Sequence, residues 1–265
     1  MEKTLPDRIA DELIARIFTA ELQAGETLAP ERALATELGV DRTSLRMALR
    51  QLTRMKLLRA TRGSGIIVLD YRKHAGIDFL AAVLDVPGLD LGGAFLIEVL
   101  DHWIAAMPAV TALAFARARP ADIRALDRVF AEQLRLLDAG SDLDAVVELE
   151  LELQDAIVAL VGSTALDLLG NSTRSLRRKL GRLLVARIDV RAQVSFQRAQ
   201  VRAVLRASPA QLHQSEAHRR YLIEHNAPLR RHLASLPPNP ARHTTWSSTH
   251  ARARAASGHA PEVDS

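Results

Sequence analysis

Residues 28–69 read LAPERALATELGVDRTSLRMALRQLTRMKLLRATRGSGIIVL, and the order of breaks and apolar positions in this stretch decides the fold of the first part of the chain. Pro30 can open a helix at its first turn, where a missing N–H leaves nothing unpaired, and Ala33, Leu34 and Leu38 supply an inward face. Gly39 suits a left-handed exit from that helix. Asp41 is a good N-cap for a third helix running to about Met55, with Leu45, Ala48, Leu49 and Leu52 on one side. Two β-prone runs, 57–61 and 66–69, flank Arg62-Gly63-Ser64-Gly65, which is a hairpin signal. Upstream, Ile9, Leu13, Ile14, Ile17 and Phe18 line one face of a first helix that Ala24-Gly25-Glu26 ends. Three helices followed by a hairpin form the winged helix-turn-helix pattern.

The third helix carries the chemistry. From Arg42 to Arg62 the chain holds Arg42, Arg46, Arg50, Arg54, Lys56, Arg59 and Arg62, and no acid. The arginines at 42, 46, 50 and 54 form one slowly drifting stripe on the face opposite Leu45, Leu49 and Leu52. Over the whole chain the charges mix, with 35 Lys and Arg against 31 Asp and Glu and a net charge of +4. Such a helix can lie in a DNA major groove, its first residues at base edges and its later cations at phosphates. Arg42 or Arg46 can pair bidentately with guanine, while Thr43 and Ser44 can donate to phosphate or base. Arg62-Gly63 at the wing tip suits the minor groove, since glycine lets backbone approach closely. The competing reading is a solvated face balanced by neighbouring acids.

At 265 residues, 48% hydrophobic and 25% charged, the chain can bury a sizeable core in one large domain or two ordinary ones. It has no run of 18 uncharged apolar residues, so no membrane span is expected. Its first residues carry acids throughout, so no secretory signal is expected either. The absence of cysteine excludes a disulfide framework, a thiolate zinc site and a Cys nucleophile, and fits a cytoplasmic location. From about 76 to 236 the sequence is apolar-periodic with few Gly or Pro. Helices are expected near 76–85, 91–107, 108–118, 120–139, 142–161, 163–187, 190–207 and 209–235, with no strand, as an antiparallel all-α bundle. From Pro237 the Pro, Ser, Thr, His and Ala-rich text predicts disorder. The expected organisation is therefore mainly α: a winged head over 1–72, a helical effector and dimerisation domain over 73–236, and a tail over 237–265.

Residues 5–70 resemble the winged-helix domain of GntR-family transcription regulators, through LAPERALATELGV (28–40), DRTSLRMALRQL (41–52) and LLRATRGSGIIV (57–68). The resemblance implies that Arg32, Arg42, Thr43, Ser44, Arg46, Arg62 and Gly63 touch double-stranded DNA. Asp41 stands where such regulators carry Ser or Thr; it caps equally well but weakens any nearby phosphate contact. The helical remainder is similar to the FadR subfamily, in AGIDFLAAVL (75–84) and LIEVL (96–100), nearest its fatty-acid-responsive branch. Many FadR-subfamily bundles hold a divalent metal through one Asp and three His. Their counterparts here are Glu150, Gln154 and Gln197, with His218 near the last. One carboxylate, one imidazole and two amides make a poor transition-metal cage, so no tightly bound metal is expected.

The resemblance implies a homodimer on a short palindromic operator, with an acyl or carboxylate effector in the bundle, acyl-CoA being favoured. Trp103, His218 and Tyr221 are candidate ligand contacts, each weighed against simple packing. The crowded basic helix with Arg174, Arg177, Arg178, Lys179, Arg182 and Arg187 could meet CoA phosphates, but reads better as a face paired with Asp142, Asp144, Glu148, Glu150, Glu152 and Asp155. The alternating glutamates of 148–152 read as exposed charges within a helix. No nucleophile, Walker or dinucleotide pattern appears, so no catalytic residue is assigned. An effector-free architectural DNA binder and a bundle enzyme with a DNA-binding head remain the alternatives.

Overall fold

The structure, a computed structural model, describes residues 3–61, 65–140, 142–206 and 215–242. They divide into two compact units, one reaching Leu91 and rejoined from Asn239, the other Gly92–Pro238.

In the first unit, α1 (Leu5–Phe18) begins with Thr4 and Asp7 capping each other's backbone N–H groups. Then come α2 (Glu31–Leu38) and α3 (Arg42–Arg54), with Gly39 between them at φ 65°, the left-handed exit its sequence suits. Pro30 stands as the N-cap of α2 rather than inside its first turn. The core is built by Ile9, Leu13 and Ile17 of α1, Leu34 and Leu38 of α2, and Leu45, Ala48 and Leu52 of α3, all buried. Strands β1 (Leu58–Thr61) and β2 (Gly65–Val68) pair antiparallel in the register Leu58↔Val68 to Thr61↔Gly65, and Thr27 bridges to Ile67 on the outer edge of β2.

Helices α4 (Tyr71–His74) and α5 (Ile77–Leu84) belong to this unit too, so it reaches beyond residue 72. The reason is aromatic packing: the Phe79 ring lies 6.3 Å from Phe18 and 5.2 Å from Tyr71. A short pair, β3 (Leu89–Asp90) with β4 (Ala241–Arg242), closes the unit. No strand was expected in either segment, and residues 237–242 carry structure where disorder was expected. Residues 243–265 lie outside the described residues.

The second unit is all helical: α6 (Gly93–Arg117), α7 (Pro120–Asp138), α8 (Leu143–Val161), α9 (Thr164–Ser172), α10 (Arg174–Val185), α11 (Val190–Arg206) and α12 (Ser215–Ser235). Two boundaries correct the sequence reading. Helices expected at 91–107 and 108–118 are one, with Pro108 inside it. Leu96, Leu100, Ile104 and Pro108 recur every four residues as one buried stripe, and α8 and α12 pack against this helix. That burial outweighs the roughly 3 kcal/mol an internal proline costs. Conversely, 163–187 splits at Thr173. The hydroxyls of Ser172 and Thr173 donate to Leu168 O at 2.8 Å and Leu169 O at 2.9 Å, which bends a helix.

By length and composition α6 is the one helix among the described residues that could cross a membrane. It carries Glu98 and Asp101, and Asp101 pairs with Arg230 of α12. The bundle core gathers Ile123, Leu126 and Phe130 of α7, Val146, Leu153 and Ile157 of α8, and Val194 and Val201 of α11. Asp127 clamps α7 to α11 through Arg198 and Arg202, with both Nε atoms within 2.8 Å of its Oδ1.

Candidate nucleic-acid interface and bundle cavity

The exposed face of α3 follows from its buried one. Leu45, Ala48, Leu49 and Leu52 are fixed in the head's core, so Arg42, Thr43, Arg46, Met47, Arg50 and Arg54 stand in solvent. Asp41 sets the helix start: its Oδ1 accepts the Ser44 N–H at 2.8 Å, and this backbone hydrogen bond holds its carboxyl below the usual range. Gln51 donates to Asp7 at 3.2 Å, tying α3 to the beginning of α1.

Arg46 Nε donates to Glu31 Oε2 at 2.7 Å, which brings the first turn of α2 beside the exposed face of α3. Arg32, the next residue, is also exposed. The structure thus collects Arg32, Arg42, Thr43, Ser44 and Arg46 around the adjoining helix starts. Arg62 and Gly63 lie outside the described residues, between strand ends that pair as Thr61↔Gly65.

The balanced-surface reading fails for most of the stripe. Arg42, Arg50, Arg54, Lys56 and Arg59 have no ion-pair or side-chain hydrogen-bond partner among the described residues, whereas the arginines of α10 do. There Arg174 and Arg177 meet Asp155, Arg178 meets Glu148 at 2.5 Å, and Arg182 meets Asp144 at 2.7 Å. Facing helices neutralise the second cluster, as its sequence suggests; the first remains a patch of uncompensated charge.

A second candidate site lies inside the bundle. A cavity of about 70 Å³ is lined by apolar groups of α6, α8, α10, α11 and α12, including Trp103, Leu151, Leu184 and Val194. Its polar groups are Gln133, Glu150, Gln154, Arg177, Gln193, His225 and Asn226. Gln154 Nε2 donates to Glu150 Oε1 at 3.1 Å, and Arg177 Nη1 donates to Gln154 Oε1 at 3.1 Å. Burial pushes the Glu150 carboxyl above the usual range, so it is not the exposed charge its alternating motif suggested. Three buried polar atoms of the lining have no partner among the described residues: Gln133 Oε1, Arg177 Nε and His225 Nε2.

Of the sequence-predicted contacts, Trp103 lines the cavity. Tyr221 stands beside it, stacked between Phe196 at 4.2 Å and His225 at 5.3 Å, its buried hydroxyl unpartnered and its pKa pushed up to about 12 by burial and the Glu150 charge. His218 is not among the lining residues, and burial lowers its pKa. Gln133, Arg177, His225 and Asn226 were missed as a set; each occupies an ordinary helical position, and only packing gathers them. Among the metal counterparts, Glu150 accepts from the Gln154 amide, and a carboxylate tied to an amide is a donor set that does not fit a divalent transition metal.

The profile of the bacterial regulatory proteins of the gntR family matches residues 5–68. Over 173 residues the chain is 30% identical to the HTH-type transcriptional regulator Mce2R of Mycobacterium tuberculosis, covering 65% of this chain and 70% of that one. Over 75 residues it is 43% identical to the mannosyl-D-glycerate transport/metabolism system repressor MngR of Escherichia coli, or 28% of this chain and 31% of that one. A solved structure of Streptococcus agalactiae GntR aligns with 86% of this chain and 99% of its own, at 20% identity and a TM-score of 0.40. A winged head displaying an unneutralised cationic helix belongs to a DNA-binding transcription regulator. The chain is a member of the GntR family.

Proposed function

We propose that this regulator reads a short palindromic operator as a homodimer in the cytoplasm, and that a small acyl or carboxylate effector in the bundle sets its affinity for that operator. The observation that carries the DNA reading is the row of exposed cations on α3, of which Arg42, Arg50 and Arg54 meet no acid among the described residues, held by a core that leaves them no other face. Arg42 and Arg46 read guanine, Thr43 and Ser44 donate to base or phosphate, Arg32 anchors backbone, and Arg62-Gly63 enter the minor groove. We assign the bundle to the FadR subfamily, on the 75–84 and 96–100 segments and the all-helical second unit.

The effector reading is supported by a mostly apolar cavity whose Arg177 Nε lacks a partner. Its size, about 70 Å³, suits a short acyl or carboxylate group, so an acyl-CoA would lodge only its acyl end there. Trp103 packs on the ligand, with Tyr221 stacked against His225 of the lining. Because ligand and operator favour different arrangements of the dimer, each weakens the other by one coupling free energy, typically about 1–3 kcal/mol. No catalysis is proposed.

Fluorescence anisotropy on duplexes selected from a random pool, with and without short carboxylates and acyl-CoAs, tests both parts. Selection of a two-fold symmetric site supports the DNA reading, and ligand-dependent release supports the effector. Indiscriminate binding refutes the first, and indifference to every ligand refutes the second.

A further inference from the structure

Met47 is the anomaly on the DNA-facing side of α3. It is 50% exposed, in a helix whose other outward residues are arginines and hydroxyl-bearing side chains. Its neighbours on the helix surface are Thr43 one turn before and Arg50 one turn after. The head's core is complete without it, since Leu45, Ala48, Leu49 and Leu52 supply every buried contact of α3. An exposed methionine contributes nothing to folding there, and leaving its apolar surface in water forgoes the gain of burial.

What could cover it is set by the charge around it. With Arg42, Arg46, Arg50 and Arg54 on the same side and no acid between Arg42 and Arg62, the partner that approaches Met47 must be polyanionic. In the major groove of a duplex, base edges offer hydrogen-bond donors and acceptors and a single apolar group, the thymine C5-methyl. A long, unbranched, polarisable thioether is suited to such a contact, because it can adapt to a methyl whose position it does not fix. Cytosine presents only C5–H at that place.

We infer that Met47 is a specificity-determining residue that packs on a thymine methyl in each half of the operator, selecting T where the arginines select G. This rests on the reading of α3 as the major-groove helix. It assigns to Met47 a choice that the arginines around it cannot make by the same means.

Deoxyuridine in place of thymidine removes that methyl and leaves base pairing and every hydrogen-bonding group unchanged. The test takes the full-length protein and the duplex it selects from a random pool, and replaces each T by dU singly. Expected is one thymine per half-site whose replacement weakens binding about fourfold, the effect of one buried methyl, and about fifteenfold when both halves are changed. The variant Met47→Ala binds the T and dU duplexes equally, with the melting temperature of the wild type.

Wild-type binding that ignores dU at every position overturns the inference, as does a Met47→Ala variant that keeps the wild-type sensitivity. A Met47→Ala variant that alters the dimerisation constant while leaving the T-to-dU ratio at the wild-type value also overturns it, by assigning the residue to a protein contact. A pool from which no consensus emerges refutes the sequence-specific reading itself. That failure is distinct from a clear consensus without methyl dependence, which refutes Met47 alone.

Discussion

Glu31 at the start of α2 holds Arg46 of α3 through a 2.7 Å bond to Nε, fifteen residues away in sequence. No other bond to the Arg46 guanidinium appears among the described residues, so its terminal nitrogens are left for a base edge. An arginine already held in place loses less side-chain freedom when it pairs with guanine.

Glu31→Ala is therefore expected to weaken specific operator binding by about 0.5–1.5 kcal/mol, the cost of ordering a long side chain. Binding to random duplexes should stay level or tighten, because an acid has left the interface. Titration of both duplexes in one buffer checks it; parallel weakening of the two would show that Glu31 supports the fold instead.

Arg46→Ala and Arg54→Ala should differ in kind. The first is expected to cost about 1–3 kcal/mol on the operator alone, while the second weakens all sequences alike and lowers the salt slope by about one. Measuring Kd against salt on specific and random duplexes separates them; identical losses contradict the division of roles along α3.

Asp41 is both cap and obstacle. Its carboxylate fixes Ser44 N at 2.8 Å yet places a negative charge where phosphate would come. Asp41→Ser keeps a cap and removes the charge, so melting temperature should hold while affinity for every duplex rises. Asp41→Ala should lower the melting temperature.

Much of this was readable from the residues. The alternation of Pro30, Gly39 and Asp41 with apolar positions marks out α2 and α3 by local chemistry alone, and local chemistry survives folding. Helix ends inside the bundle were less legible. Pro108 signals a break that the buried stripe of α6 overrides, and Thr173 makes one that periodicity conceals. The cavity's polar groups come from five separate helices, and no spacing within one helix announces that they meet. Glu150 shows the limit most plainly: its motif looks solvated, yet it is half-buried in the lining of a cavity that α10 and α12 help to enclose.

Two carboxyls of the bundle should give pH dependences of opposite sign. Hydrogen bonds from Arg198 and Arg202 hold Asp127 well below its ordinary 3.8, so its contribution is present above that value and lost as pH falls beneath it. Asp127→Asn should cost about 1 kcal/mol at neutral pH, modest because solvent reaches the pair, or roughly 3 °C in melting temperature. That deficit should shrink below pH 4.

Burial raises Glu150 above its ordinary 4.5, so the native state is favoured below that value and loses this advantage as pH rises through the raised one. Glu150→Gln should melt above the wild type at pH 8 and converge with it near pH 4. Melting curves from pH 3 to 9 test both; a Glu150→Gln variant that melts lower at pH 8 contradicts the upward shift of the Glu150 carboxyl.

Two copies of α3 are expected to read the two half-sites of one duplex. Selection from random duplexes, followed by sedimentation of the purified complex, tests it in one experiment. An inverted repeat bound by two chains, with half-sites about one helical turn apart, is the predicted result. A chain that stays monomeric on its selected DNA, or a pool that yields no repeat, would contradict it.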